Sequence, residues 1–122
     1  MNHYKLILPE HLNHHDKLFG GNMLKWIDEF AYITANIEFP GYTFLTKALD
    51  NVVFLKSVSV GEIVCFKVHR QRLGNTSVQY SVKAFGTKDE KTLDEVIFET
   101  KITFVSVDEN NNKVAIDTTR NA

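Results

Sequence analysis

The stretch HLNHHDKLFGGNMLKWIDEF, residues 11–30, decides how the rest of the chain is interpreted. Its second half carries apolar side chains at helical spacing, which predicts a helix that has Asn22 as its N-cap and runs to about Ile37. The Phe-Pro-Gly sequence at 39–41 predicts the stop and a turn. Residues 11–19 follow no periodic pattern and are predicted to form a polar loop. The stretch therefore predicts a loop that leads into one long helix.

The pattern changes on both sides of the helix. Before it, the apolar run Lys5–Leu8 ends at Pro9 and predicts a short edge strand. A charged loop is predicted at Thr87–Asp94, and a short return strand at Val114–Ile116. Four further runs alternate as strands do and are rich in Val, Ile, Phe and Thr, namely Phe44–Leu55, Ile63–Leu73, Thr76–Phe85 and Glu95–Val107. This order predicts one α+β domain over 1–122, with a curved antiparallel sheet packed on the helix.

In the predicted strands, apolar residues occur at positions that face both sides of the sheet. The examples are Phe98, Val105, Val107, Val64 and Phe66. They indicate burial on both faces of the sheet in places, and a lone subunit would also keep unpaired sheet edges. The sequence therefore predicts an oligomer.

The two acids in the helix fall on different faces. The helix is apolar around most of its circumference, and its central stripe consists of Leu24, Ile27, Ala31 and Ala35. Glu29 falls on the narrow polar face, where a solvated acid needs no further explanation. Asp28 falls at the edge of the apolar stripe, where a carboxylate is partly withdrawn from water unless a partner pairs with it. Two interpretations remain: a functional acid beside a ligand, or an acid that pairs with a basic side chain or caps a neighbouring backbone.

The other pairs in the stretch suggest different sites. His14 and His15 point in opposite directions on extended backbone, and their spacing matches no familiar metal site, so a solvated loop is favoured and no metal is expected. Gly20 and Gly21 leave free N–H groups at the positive end of the helix. A phosphate, an oxyanion or a carbonyl oxygen fits there, although no phosphate-loop pattern is present.

Composition narrows the class of protein. The formal net charge of −1 argues against a protein built mainly to bind nucleic acid. No stretch is long and apolar enough to cross a membrane, and the N-terminal residues lack the apolar core of a signal peptide. We therefore expect a cytoplasmic protein with neither membrane nor nucleic-acid partners. The single cysteine, Cys65, lies in an apolar alternating run and is expected to be buried and inert.

Taken together, these residues resemble the hot-dog-fold acyl-CoA thioesterases, in particular the short acyl-CoA hydrolases of bacteria and of the eukaryotic cytosol. The resemblance covers the chain from Leu8 to about Val107. Its motifs are PEHLN at 9–13, LFGGNML at 18–24 with WIDE at 26–29, Thr46-x3-Asp50-x3-Phe54, Val60-Gly61-Glu62, and Gly74-Asn75-Thr76-Ser77. Two positions depart from the family pattern: Asp16 stands where Gly is frequent, and Asn75 where a basic residue is frequent.

The resemblance implies a long central helix wrapped by a curved five-stranded antiparallel sheet. It also implies subunits that join edge to edge into dimers, commonly assembled as trimers of dimers, with active sites at the dimer interface. Asp28 matches the catalytic carboxylate, and Asn13 matches its partner, which approaches from the other subunit. Gly20 and Gly21 match the residues whose N–H groups lie near the thioester carbonyl. The implied contacts with CoA and the acyl group are Phe19, Gly74, Asn75, Thr76 and Ser77.

The implied activity is hydrolysis of an acyl-CoA, without a metal or redox cofactor. Asp28 acts as general base on a water or attacks directly as a nucleophile, and Asn13 orients the water or binds the oxyanion. A non-catalytic acyl-CoA-binding or sensing module remains an alternative, although retention of both residues favours the enzyme. A dehydratase or hydratase needs a catalytic His with an acid, and His69 is predicted on a strand. Acyl length stays open; the aromatic side chains able to limit it are Trp26, Phe30 and Tyr32.

Overall fold

The described part of the chain, residues 1–87 and 95–117 of the computed structural model, folds as five strands and one α-helix. In chain order the elements are β1 (Asn2–Leu6), a 3-10 turn (Pro9–His11), α1 (Gly20–Glu38), β2 (Thr43–Phe54), β3 (Ile63–Leu73), β4 (Ser77–Gly86) and β5 (Val96–Val107). The strands form one sheet in the order β1-β3-β4-β5-β2, and every neighbouring pair is antiparallel. This architecture confirms the predicted α+β class and the hot-dog fold that the resemblance implied.

α1 begins three residues earlier than predicted. Phe19 is the N-cap, with extended backbone, and Asn22 lies inside the first turn. There Asn22 Nδ2 donates a hydrogen bond to the carbonyl oxygen of His11 at 3.1 Å, so its side chain fixes the helix start to the preceding loop. The prediction of Asn22 as the cap was therefore wrong. The predicted stop is confirmed, since the N–H of Phe39 closes the last turn on the carbonyl oxygen of Ala35 at 2.9 Å.

The core lies between α1 and the inner face of the sheet. β4 and β5 alternate fully buried residues with half-buried ones along most of their length, as strands with one face on a core do. The helix contributes Met23, Trp26, Ile27, Ala31, Thr34 and Ala35 to the buried set. The largest fully buried side chains of the sheet include Tyr80, Phe66, Phe98 and Phe104. The core therefore holds Asp28 on a helix that packing keeps rigid.

A buried hydrogen bond fixes the last turn of α1 to the sheet. The hydroxyl of Tyr80, on β4, donates to Oε1 of Glu38 at 2.7 Å. Burial of the ring, and then this hydrogen bond, raise the pKa of Tyr80. A carboxylate at a helix C-terminus faces the negative end of the helix dipole, and the Tyr80 donor offsets that repulsion.

The limits of β2, β4 and β5 differ from the predicted ones by one residue at most, whereas two other predictions on strands differ more. β1 starts at Asn2 rather than Lys5 because its pairing with β3 continues from Leu6 to Asn2. The predicted return strand at Val114–Ile116 was wrong. Its N–H groups bond instead to the carbonyl oxygens of two different elements, Ser106 on β5 and Asn75 in the β3–β4 turn. The segment therefore crosses the end of the sheet without joining it as a strand. The predicted charged loop lies, apart from its first residue, outside the described residues.

β2 forms one edge of the sheet and is largely uncovered. It pairs with β5 on one side only, and Phe44 alone among its residues is buried. Its exposed apolar side chains are Leu45, Leu49, Val52, Val53 and Phe54. A long, exposed, apolar edge strand offers unpaired backbone groups to another chain. The edge that the predicted oligomer needs is therefore present.

Two compositional expectations can be compared with the fold. Cys65 is buried on β3, as predicted. Within the described ranges, none of the helices combines the length and the apolar character needed to cross a bilayer.

Candidate active site

Asp28 is half-buried in the third turn of α1, on the side that faces the start of β2. The hydroxyl of Thr46, on β2, donates to Oδ1 of Asp28 at 2.7 Å. A hydroxyl bonded to a carboxylate at this distance is a strong contact, and it holds the carboxylate in one orientation. Oδ2 receives no hydrogen bond from the residues that the structure describes. Asp28 thus neither pairs with a basic side chain nor caps a backbone, and one oxygen stays available.

The free side of Asp28 opens into a cavity of about 570 Å³, called here the Asp28 cavity. Its volume lies in the usual range for small-molecule sites. Its walls are Lys25, Asp28, Glu29 and Tyr32 of α1 and Phe44, Leu45 and Thr46 of β2. The helical members follow the spacing of one helix face, so a single helix–strand groove forms the cavity.

Asn13 organises the loop before α1. Its Oδ1 accepts hydrogen bonds from the backbone N–H groups of His15 at 2.8 Å and Lys17 at 3.2 Å. Its own N–H donates to the Lys17 carbonyl oxygen at 2.7 Å. The side-chain amide N–H groups of Asn13 donate to none of the described residues. Asp16, at φ 58°, occupies the left-handed region that Gly or Asp tolerates, which accounts for the frequent Gly of the family pattern.

Asn13 and Gly20 line a second cavity, of about 340 Å³, called here the Asn13 cavity. The other residues on its walls are Lys17, Leu18, Met23, Phe54, Leu55, Lys56, Ser57 and Val58. Asp28 is not among them, and Asn13 does not line the Asp28 cavity. Within one chain, the structure therefore does not bring the two predicted catalytic side chains together.

Gly20 and Gly21 are the first two residues of α1. The N–H groups of Asn22 and Met23 bond to the carbonyl oxygen of Phe19 at 3.0 and 3.4 Å, whereas those of Gly20 and Gly21 have no acceptor among the described residues. A Cβ on Gly20 would lie 3.1 Å from Cζ of Phe54, and one on Gly21 would lie 2.7 Å from Cε1 of Phe19. Glycine at both positions therefore lets two phenyl rings approach the helix start. Phe19 itself is 56% exposed beside these donors.

The turn Gly74–Ser77 lies at a different place. It closes the β3–β4 hairpin through a bond from the Gly74 N–H to the Ser77 carbonyl oxygen at 2.8 Å. The carbonyl oxygen of Thr76 accepts from the N–H of Ser106, and that of Asn75 accepts from the N–H of Ile116. None of the four turn residues lines either cavity. A single chain does not join this turn to Asp28 or Asn13.

The histidines of the opening stretch have different surroundings. His14 and His15 are exposed, with ring centroids 3.9 Å apart. His11 Nδ1 accepts the N–H of Leu8 at 2.9 Å, and its ring lies edge-on to Trp26, so His11 holds the loop on the core. Among the described residues, no group of three or more His, Cys, Asp or Glu side chains is placed to hold a metal ion.

Thr46 is the functional candidate that sequence reasoning missed. It was noticed only as part of a motif, because neither the helical nor the strand period shows which strand residue faces Asp28. The sequence offered one signal for this contact: Thr46 carries a hydroxyl and lies near the start of the strand that follows the helix. Two lysines on the wall of the Asn13 cavity were also not singled out: Lys17, and Lys56, whose Nζ pairs with the carboxylate of Glu95.

The chain is similar to proteins of known family. The family model described as Thioesterase superfamily matches residues 15–93. An uncharacterized acyl-CoA thioester hydrolase of Bacillus subtilis is 29% identical over 110 residues, which are 90% of this chain and 63% of that protein. The chain spans less than two thirds of the length of the curated relatives it matches first.

Two solved structures are similar over nearly the whole chain. One is a hexameric, broad-specificity acyl-coenzyme A thioesterase with alanine in place of an aspartate. It superposes with a TM-score of 0.88 at 25% identity, covering 98% of this chain and 87% of that one. The other is an acyl-CoA hydrolase of Staphylococcus aureus in complex with butyryl coenzyme A, coenzyme A and coenzyme A disulfide. Its TM-score is 0.81 at 28% identity, covering 95% of this chain and 68% of that one.

Proposed function

The chain belongs to the thioesterase superfamily, and from this membership we propose that it is an acyl-CoA thioesterase, which hydrolyses an acyl-CoA to a carboxylic acid and CoA. The observation that carries the proposal is Asp28, held by Thr46 at 2.7 Å with its other oxygen open to a cavity of about 570 Å³. The acyl-CoA hydrolases and thioesterases among the similar proteins support the substrate class.

Asp28 supplies the chemistry in either of two ways. As a general base, Oδ2 takes a proton from water while the water oxygen adds to the thioester carbon. The C–S bond then breaks, and the CoA thiolate receives the proton. As a nucleophile, Oδ2 adds to the same carbon, CoA leaves, and water hydrolyses the resulting anhydride. In both routes Thr46 keeps Oδ1 occupied, so that Oδ2 is the reacting oxygen. The reaction uses the chain's own groups, and we propose no metal or redox cofactor.

The oxyanion formed in either route needs donors that this chain places far from its own Asp28. Gly20 and Asp28 are eight residues apart on α1, which is about 12 Å along the helix axis. One carbonyl group cannot touch both positions. Asn13 lines the same cavity as Gly20. We therefore propose that Asn13 and the N–H groups of Gly20 and Gly21 act together, opposite the Asp28 of a second subunit.

The edge strand β2 provides a way to join these two half-sites. Its first part, at Leu45 and Thr46, lines the Asp28 cavity, and its last residue, Phe54, lines the Asn13 cavity. Antiparallel pairing of β2 with β2 of a second copy sets the start of one strand against the end of the other. Each Asp28 cavity then adjoins the Asn13 cavity of its partner. We propose a dimer of this kind, assembled further as a trimer of dimers.

The Staphylococcus aureus hydrolase supports the choice of residues. It has been solved with alanine in place of an aspartate, a threonine and an asparagine. Its asparagine precedes the aspartate by fifteen positions, and its threonine follows the aspartate by seventeen. In this chain Asn13 precedes Asp28 by fifteen positions, and Thr46 follows by eighteen.

The remaining substrate contacts follow from the resemblance. Phe19 is exposed beside the glycine N–H groups and is proposed to pack against the pantetheine arm or the acyl group. The turn of Gly74, Asn75, Thr76 and Ser77 lies outside both cavities, so we propose that it contacts the distal, phosphate-bearing part of CoA.

A thiol-release assay with acyl-CoAs from acetyl to palmitoyl tests the proposal. Wild type should hydrolyse part of the series, and Asp28→Asn should lose at least about 100-fold in kcat because the base or nucleophile is gone. Glu10→Gln, which changes an exposed acid that lines neither cavity, serves as the matched control and should stay near wild type. No release by the wild type, combined with a melting temperature raised by acyl-CoA, would instead establish a binding module. Equal losses in both variants would remove the special role of Asp28.

A further inference from the structure

The Asp28 cavity has an aromatic end. Tyr32 lies one helical turn after Asp28 on the same face of α1, about 6 Å along the axis. Its ring meets Phe104 edge-on, with centroids 6.0 Å apart. Phe104 is fully buried and also lies 6.3 Å from the ring of Phe44, which lines the cavity. The rings of Tyr32 and Phe44 therefore line this end of the groove, and Phe104 packs behind them.

The opposite end of the cavity is charged. Lys25 lies one turn before Asp28, and Thr46 faces Asp28 itself. From Thr46 back to Phe44 the strand runs about 7 Å toward the aromatic end. The charged residues of the wall, Lys25, Asp28 and Glu29, thus all precede Tyr32 on α1, and polarity falls toward the aromatic end. A thioester bound at Asp28 gains from placing its apolar chain on the rings and its charged portion away from them.

We propose that Tyr32 is the residue that sets acyl-chain length, by closing the far end of the acyl subsite. This inference rests on the proposed thioesterase function. A residue in an extended backbone has three bonds and spans about 3.3–3.6 Å, which is about 1.2 Å per bond. The distance of about 6 Å from Asp28 to Tyr32 therefore accommodates about five acyl carbons beyond the carbonyl. The preferred substrates are therefore short acyl-CoAs, near butyryl and hexanoyl.

Tyr32 fits this role better than the other aromatic candidates on the helix. Trp26 is buried against His11, and Phe30 stacks on His3 with centroids 4.7 Å apart, so both rings are engaged elsewhere and neither lines the Asp28 cavity. Tyr32 is 41% exposed and lines it. Its truncation lengthens the cavity without emptying the core.

Acyl-CoA panels for three variants test the inference. Wild-type kcat/KM should fall at least tenfold from hexanoyl to palmitoyl-CoA. Tyr32→Ala should raise the ratio of palmitoyl to butyryl kcat/KM at least tenfold, because a pocket that rejects even one methylene discriminates by about that factor. Tyr32→Phe keeps the ring and should keep the wild-type chain profile. Ile33→Ala is the control, since Ile33 is a similarly exposed apolar residue, 37% exposed, that does not line the cavity.

The outcomes separate this inference from the proposed function. An unchanged profile in Tyr32→Ala, or a wild type that accepts palmitoyl as well as butyryl-CoA, overturns the role of Tyr32 and leaves the thioesterase intact. An equal shift in Ile33→Ala also overturns it, because the effect would then be general loosening of the helix. Absence of hydrolysis by the wild type with every acyl-CoA overturns the proposed function itself.

Discussion

Two inactive variants should restore catalytic activity when they are combined, if each active site is built from two chains. Asp28→Asn removes the reacting carboxylate, and Asn13→Ala removes the amide donor. In a mixed dimer, the intact Asp28 of one chain faces the intact Asn13 of the other. The second site of the same dimer carries both defects. One site in each mixed dimer should therefore be complete.

The expected activity follows from counting sites. Random pairing of equal amounts makes half of the dimers mixed, so about a quarter of all sites are intact. The co-expressed pair should show about 25% of wild-type kcat per chain with the wild-type KM. Each variant alone should stay near or below about 1%, the loss typical of a removed general base. The separation of about 12 Å between Gly20 and Asp28 on one helix is the structural reason to expect restoration.

The assay needs two chains that carry one common tag and are co-expressed in equal amounts, so that every pairing is recovered, followed by thiol release from butyryl-CoA. Asp28→Asn co-expressed with Thr46→Val is the matched control. Both of these changes fall on the same half-site, so every site of a mixed dimer keeps one defect and no restoration should occur. A mixed Asp28→Asn and Asn13→Ala dimer no more active than its parents would refute the divided site.

Three further predictions concern two side-chain hydrogen bonds and the protonation of His3. Thr46→Val removes the donor to Asp28 and should lower kcat about tenfold or more with little change in KM, measured by steady-state kinetics. Tyr80→Phe leaves Glu38 without its buried donor and should lower the free energy of unfolding by about 1.5–3 kcal/mol in urea titrations. Burial lowers the pKa of His3 below its ordinary 6.5, so the unfolded chain binds the proton more readily and stability should fall as pH drops below about 6.5. His3→Gln should show a weaker loss between pH 7 and 5.5.

The sequence predicted the fold well where one periodic pattern dominates. β3 has the predicted limits because Gly61-Glu62 and Gly74-Asn75 punctuate it on both sides. The start of α1 was missed because Gly20 and Gly21 are poor helix formers, which the local pattern penalises. Tertiary contacts override that preference, since the rings of Phe19 and Phe54 occupy the space that Cβ atoms would fill.

The candidate site was predictable only in part. Asp28 stood out because a helical wheel places an acid at an apolar edge without any knowledge of tertiary structure. Thr46 did not, because a strand period places it on the sheet face of Phe44 but does not show which helix residue lies opposite; that depends on how α1 packs on the sheet. Beyond Thr46 the period itself fails, since the register of β2 shifts between Thr46 and Ala48 and again between Asp50 and Val53, where Asn51 has φ 55°.

The divided site and the exposed edge have a common physical explanation. A helix places its oxyanion donors at its N-terminus, whereas a carboxylate there would repel the developing oxyanion. Moving the acid eight residues along α1 avoids that conflict but leaves each chain with half a site. In the proposed dimer, β2 pairs with β2 of a second copy and so brings the two half-sites together, because the strand contacts one cavity near its start and the other at its end. If this proposal is right, the exposed apolar edge of the lone subunit completes the site, and activity should depend on association.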